Sequence, residues 1–112
     1  MHQVLFYRTT SGNEPVRDFL KSFSKAEKTI IGADLRAVQL GFPMGLPVCG
    51  SLGNGLYEVR SSLPSGIEVR LIFFHSRALG ALVVLHGFIK KTQKAPLAAV
   101  RLAAKRKQEF SP

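Results

Sequence analysis

The sequence predicts an α+β domain: a first strand, a helical hairpin, a three-stranded antiparallel meander and a C-terminal helix. Three observations carry that expectation. Runs of β-forming residues at 56–62, 67–75 and 80–89 follow one another with only short turns between them, which favours antiparallel pairing. Ahead of them, apolar residues recur at helical spacing from Val16 to Val38. After them, Pro96 opens a segment with a thin apolar stripe and many cations.

Residues 3–8 are rich in β-formers (Val4, Leu5, Phe6, Tyr7) and read as the first strand, which Ser11-Gly12-Asn13 breaks. Pro15 stands in the first turn of a helix, where its missing N–H does no harm. Val16, Phe19, Leu20 and Phe23 form one apolar stripe on it, and it ends near Ser22. A second helix starts at Ser24, whose spacing to Glu27 lets each side chain cap the other's backbone N–H. Ile31, Leu35 and Val38 continue the stripe, and Gly41 offers a left-handed C-cap. These two helices must lay their stripes on something flat.

Residues 41–55 hold five of the ten glycines and two prolines, a loop with extended pairing expected near Leu46–Val48. Gly53-Asn54-Gly55 reads as a turn into the strand at 56–62. Leu63-Pro64-Ser65-Gly66 and His75-Ser76-Arg77-Ala78 are the two meander connections. In the last helix Leu97, Val100 and Ala104 make the apolar stripe. Arg101, Lys105, Arg106 and Lys107 make a basic face.

Alternation assigns the faces of the sheet. Tyr57 and Val59 point one way, Glu58 and Arg60 the other. Ile67, Val69, Leu71 and Phe73 form a fully apolar face suited to the hairpin, and Glu68, Arg70, Ile72 and Phe74 face away. The strand at 80–89 is apolar on both faces, so it is central or covered. We assign its His86, Phe88 and Lys90 to the face of Arg60 and Arg70. A sheet face with fixed cations is suited to binding a phosphodiester.

Composition narrows the function classes. The 112 residues suffice for one domain spanning 1–112, and 46% hydrophobic residues provide for a core. Sixteen Lys and Arg against seven acids give +9. That excess favours a polyanionic partner such as nucleic acid or an acidic protein surface, the alternative being charge for solubility alone. The single Cys49 leaves no internal disulfide and no cysteine-based metal site, and it reads as a loop cysteine without a role. No metal site and no cofactor are indicated. No signal peptide is visible, and Leu79–Ile89 is too short to span a bilayer, so a cytoplasmic protein is expected.

Gly55-Leu56-Tyr57-Glu58-Val59-Arg60, Val69-Arg70-Leu71-Ile72-Phe73-Phe74 and the stretch from Leu85 to Pro96 together resemble the HigB-like, phage-derived branch of the RelE/ParE toxin superfamily. The segment 11–20 fits the same pattern. Phe88-Ile89-Lys90-Lys91-Thr92-Gln93-Lys94-Ala95-Pro96 is the most specific part. The resemblance implies the toxin of a type II toxin–antitoxin pair, acting as a ribosome-dependent mRNA endonuclease. It implies a helix-turn-helix antitoxin as partner, in a toxin–antitoxin hetero-oligomer. The RelE-like fold it implies has helices packed on one face of the sheet and active residues on the other. ParE-type relatives share that fold and inhibit DNA gyrase instead. Where family members often carry a lysine, this chain has Cys49-Gly50-Ser51, which keeps an inactive prophage remnant as a third reading.

Cleaving RNA without a metal needs the 2′-OH to lose a proton, the leaving 5′-oxygen to gain one, and positive charge around the pentavalent phosphate. Arg60 and Arg70 are the candidates for the last task, each worth about 2–4 kcal/mol. The alternative is that they pair with Glu58 and Glu68 as solvated cross-strand ions. Since both arginines face away from the hairpin, their removal is expected to leave the core undisturbed. Lys90 or Lys91 is the candidate for gripping the scissile phosphate, or for acting as base if neighbouring cations depress its pKa. Adjacent residues of an extended segment point oppositely, so only one enters the site, and the alternative is electrostatic docking to ribosomal RNA. His86 is the candidate acid or base by its ordinary pKa, or else a core histidine. Phe88 is placed to stack on a base, or else belongs to the core. Lys91, Lys94, Arg101 and Lys105 are expected to bind RNA. His75 is the weaker histidine, because its parity matches the hairpin side.

Overall fold

The computed structural model describes residues 1–91 and 96–110. In chain order the elements are β1 (Gln3–Phe6), α1 (Pro15–Lys21), α2 (Lys25–Gly41), β2 (Cys49–Gly53), β3 (Leu56–Ser62), β4 (Glu68–Ser76), β5 (Ala81–Lys90) and α3 (Leu97–Phe110). The sheet runs β1-β5-β4-β3-β2, with β1 parallel to β5 and every other pair antiparallel. The α+β expectation holds, and the meander gains a fourth strand in β2. The described chain is compact, with a radius of gyration of 13.1 Å.

The hairpin helices begin as expected. Pro15 occupies the first turn of α1. Ser24 caps α2 reciprocally, its Oγ accepting from the Glu27 N–H at 3.2 Å while Glu27 Oε1 accepts from the Ser24 N–H at 2.8 Å. The end of α2 differs. Gly41 remains helical and Phe42 follows in extended conformation, with ψ 133°. Pro43 is the cause, since a residue before proline is excluded from the helical region. The Phe42 ring then packs edge-on against Tyr57, Phe73 and His75.

Two strands are displaced from their expected limits. β1 stops at Phe6 rather than residue 8. Tyr7 makes one more bond to the sheet, its N–H donating to Val84 O at 2.8 Å. The chain then turns through Gly12, whose φ is +91°. Pairing with β3 begins at Val48, whose carbonyl accepts from the Arg60 N–H, and runs on through Cys49–Gly53, further than expected; Leu46 is exposed, whereas Cys49 is buried opposite Val59. Cys49 is therefore a core residue, not a loop cysteine. Gly53, Asn54 and Gly55 all have positive φ, which makes the tight β2–β3 turn.

Both faces of the sheet are covered. Val16, Phe23, Ile31 and Val38 of the hairpin pack on Val59, Val69, Leu71, Phe73, Leu82 and Val84. On the opposite face α3 sets Ala99 and Ala103 against Leu56, Ile72, Phe74, Val83 and Leu85. The one-sided arrangement implied by the resemblance is thus corrected. Of the expected inward stripe of α3, Val100 packs against the sheet, but Leu97 is 61% exposed and Ala104 is exposed. Ala99 and Ala103 face in, and their small side chains let the helix lie close to the sheet. Among the described residues, no helix is long and apolar enough to cross a membrane.

A bulge in β5 matters for the site. Ile72 pairs with His86 but Phe73 pairs with Val84, so Leu85 is the extra residue. Its carbonyl accepts from Arg106 Nη1 at 2.8 Å. After the bulge, Gly87 faces α1. A Cβ there would stand 2.6 Å from Phe19 Cδ2 and 2.9 Å from Leu71 Cδ2. Gly87→Ala is expected to cost about 1–3 kcal/mol by overpacking and to lower the melting temperature by several degrees. An unchanged melt would mean that α1 shifts freely.

Candidate active site

Cross-strand register brings the sequence-selected residues together. Arg60, Arg70 and Phe88 form one row across β3, β4 and β5. Glu58, Ile72 and His86 form the next row, and Ser62, Glu68 and Lys90 the one beyond. All project on the α3 side of the sheet, since Ile72 belongs to the cluster beneath α3. The arginine and lysine rows lie past Ile72, away from Phe74. The face assignment made from alternation is therefore correct for Arg60, Arg70, His86, Phe88 and Lys90.

Burial is where expectation fails. Arg70 is 3% exposed, so it is not a solvated ion. Its Nη1 donates to Glu68 Oε1 at 3.2 Å and to Val69 O at 3.1 Å. Its Nε lies 3.8 Å from Glu58 Oε1, and neither of these atoms has a hydrogen-bond partner among the described residues. The Glu58 side chain is only 8% exposed. Removing Arg70 would therefore disturb the interior, contrary to the expectation from face assignment alone. The two glutamates are the site residues that sequence reasoning underrated. Their signal was present, because Glu-Val-Arg recurs in β3 and β4 and puts each acid on the face of its arginine.

Glu68 is more open than Glu58, its side chain 38% exposed. Its Oε1 also accepts from Ser62 Oγ at 2.9 Å. That hydrogen bond, followed by Arg70 and the charge of Arg60, holds the Glu68 carboxyl below its ordinary value despite an opposing effect of burial. Arg60 is half-buried. Its backbone N–H donates to Val48 O at 2.9 Å. It lines a cleft of about 400 Å³ with Ile30, Asp34, Pro47, Val48, Ser62 and Glu68.

His86 stacks on Phe88, ring centroids 5.7 Å apart and planes 20° from parallel. Burial, then the charge of Arg106, pushes its pKa down from 6.5. The imidazole is thus neutral near pH 7 and suited to accepting a proton. Lys90 is half-buried at the strand end and Lys91 is exposed beside it. Lys94, expected to bind RNA, lies outside the described residues.

The basic face of α3 divides. Arg101 and Lys105 are exposed. Arg106 turns inward over the Tyr7 ring, 5.1 Å from its centroid. Lys107 Nζ donates to Asn54 O at 3.2 Å. His75 lies on the hairpin side with His2, ring centroids 4.8 Å apart, and takes no part in the site.

Both His75 and His86 have depressed pKa values, with burial the leading cause in each. For His75 the charges of His2 and Arg77 add to it. The unfolded chain takes up these protons near 6.5 and the folded chain only at lower pH. Folding stability is therefore full above that value and falls as pH drops through it. The melting temperature is expected to decline as pH falls below about 6.5, and the double variant His75→Gln/His86→Gln should flatten that decline. Glu14 and Glu68, whose carboxyls are held low, add losses only below 4.5.

The fold is a small basic α+β domain that gathers Arg60, Arg70 and Lys90 on one face of its sheet. The model of the family described as phage-derived protein Gp49-like (DUF891) matches residues 18–108. The chain belongs to that family, a RelE-type toxin family, which is consistent with the toxin of a toxin–antitoxin pair. No curated protein matches the chain.

Proposed function

We propose that this protein is a HigB-like toxin of a type II toxin–antitoxin system and cleaves mRNA on the ribosome. The observation that supports this most is the row Arg60–Arg70–Phe88 with Lys90 and a neutral His86 in the adjoining rows of the same face. The reaction needs no metal. A base removes the proton of the 2′-OH, the 2′-oxygen bonds to phosphorus, and the P–O5′ bond breaks as the 5′-oxygen takes a proton. The products are a 2′,3′-cyclic phosphate and a free 5′-hydroxyl.

Arg60 and Arg70 balance the charge that builds on the phosphoryl oxygens. Lys90 grips the scissile phosphate, and Phe88 stacks on a neighbouring base. His86 is the group for proton transfer, and its depressed pKa leaves it in the neutral form that a base must start from. Lys91, Lys94, Arg101 and Lys105 hold the RNA backbone or dock on ribosomal RNA. The excess charge also suits an antitoxin with an acidic segment, and their association should be fast and slowed by salt.

Expression without the antitoxin is expected to arrest growth. Primer extension on cellular mRNA should then show cuts within translated regions. Purified protein should cut free RNA poorly, because the ribosome positions the message. Growth arrest with intact mRNA and damaged DNA would move the protein to the gyrase-inhibiting class, and no arrest at all would make it an inactive remnant.

A further inference from the structure

The site as it stands is already filled by its own acids. Arg70 has given Nη1 to Glu68 and to the Val69 carbonyl, and its Nε faces Glu58. Two carboxylates flank one guanidinium. They are not equivalent. Glu58 is enclosed, with a Cβ at Gly50 coming within 3.3 Å of its Oε2. Glu68 stands at the mouth, on the wall of the cleft of about 400 Å³ that it shares with Arg60 and Ser62. It has open space beside it, and the Ser62 hydroxyl is a second partner that needs no charge on Arg70.

A carboxylate presents to guanidinium two oxygens much as a phosphate does. We propose that Glu68 is a built-in competitor for the phosphodiester: it holds the outer side of the Arg70 fork in the free protein, and an entering phosphate displaces it into the cleft, where Ser62 retains it. The inference rests on the phosphate-binding role given to Arg70 above. Glu58 stays behind as the fixed counter-charge that positions the guanidinium. An anion must then outcompete a charged hydrogen bond before Arg70 serves it. A phosphate arriving alone does so poorly, whereas one held in place by other contacts does so readily. The competitor thus sets a threshold that favours a positioned message over free RNA.

The test is binding of a 2′-O-methyl trinucleotide, which cannot be cleaved, followed through the Arg70 Nε–Hε resonance. Wild type should bind weakly. Glu68→Gln keeps the shape and can still accept from Ser62, and it should bind roughly tenfold tighter, as loss of one charge-assisted hydrogen bond to a competitor allows. Asp18→Asn, an exposed acid on α1, removes the same net charge far from the row and should leave affinity near wild type. Equal affinity of Glu68→Gln and wild type overturns the proposal. So does equal tightening by Asp18→Asn, or tighter binding without movement of the Arg70 resonance. Primer extension with wild type is read separately: tighter binding by Glu68→Gln together with uncut mRNA would keep the competitor and discard the nuclease.

Discussion

Arg70→Ala is expected to cost about 3–5 kcal/mol of folding stability, because it leaves a buried carboxylate without its counter-charge. Glu58 is the residue concerned: its side chain is 8% exposed and its Oε1 has no hydrogen-bond partner among the described residues even with Arg70 present. In a domain of this size such a loss lowers the melting temperature by on the order of 10 °C or more. Growth arrest should disappear as well, so toxicity alone cannot assign Arg70 a chemical role. The double variant Glu58→Gln/Arg70→Met should recover much of the stability, since it removes both charges together. It should not recover toxicity. A single variant that melts like wild type would show that Glu58 reaches water once Arg70 is gone.

Arg60→Ala is expected to behave in the opposite way. The side chain is half-buried on the wall of an open cleft and carries no buried acid of its own. Its loss should leave the melting temperature within the range of an ordinary surface change, about 0.5 kcal/mol. Cleavage of ribosome-bound mRNA should fall roughly 100- to 1,000-fold, the usual effect of removing one preorganised donor from a developing anion. Rates measured with purified ribosomes and a defined message check this directly. Full activity in Arg60→Ala would remove this residue from the site and leave the charge balance to Arg70 and Lys90.

What the sequence revealed and what it concealed divide along the range of the interactions. The capping box at Ser24, the stripe from Val16 to Val38 and the turn at Leu63–Gly66 are local, and local chemistry decides them. The limits of β3 matched at both ends, and those of β4 and β5 to within one residue, because short links and alternation mark them. The extent of β2 was missed because Cys49-Gly50-Ser51 has no alternating pattern; its pairing is imposed by β3. The end of α2 was misread because Gly41 drew attention from Pro43. On α3 Val100 was placed correctly but Leu97 and Ala104 were not. The other inward positions are two alanines followed by Arg106, whose guanidinium covers Tyr7 and closes the bulge at Leu85. That the candidate residues share one sheet face was legible from parity. The burial of Arg70 was not, because it depends on how three strands close around one side chain.

The placement of β5 has a consequence for how the molecule comes into being. The strand that joins β1 to the meander is the last strand to be synthesised, and Gln3 pairs with Ala81 across almost the whole preceding chain. Until β5 emerges, β1 has no neighbour and the hairpin has only part of its floor. Long-range closure of this kind makes folding a late, concerted event rather than a gradual one. Phe88 and Lys90 belong to that same strand, so the surface that would grip RNA is completed at the moment the sheet is. A nascent chain that ends between β4 and β5 therefore contains Arg60 and Arg70 but only part of the floor, and lacks Phe88 and Lys90.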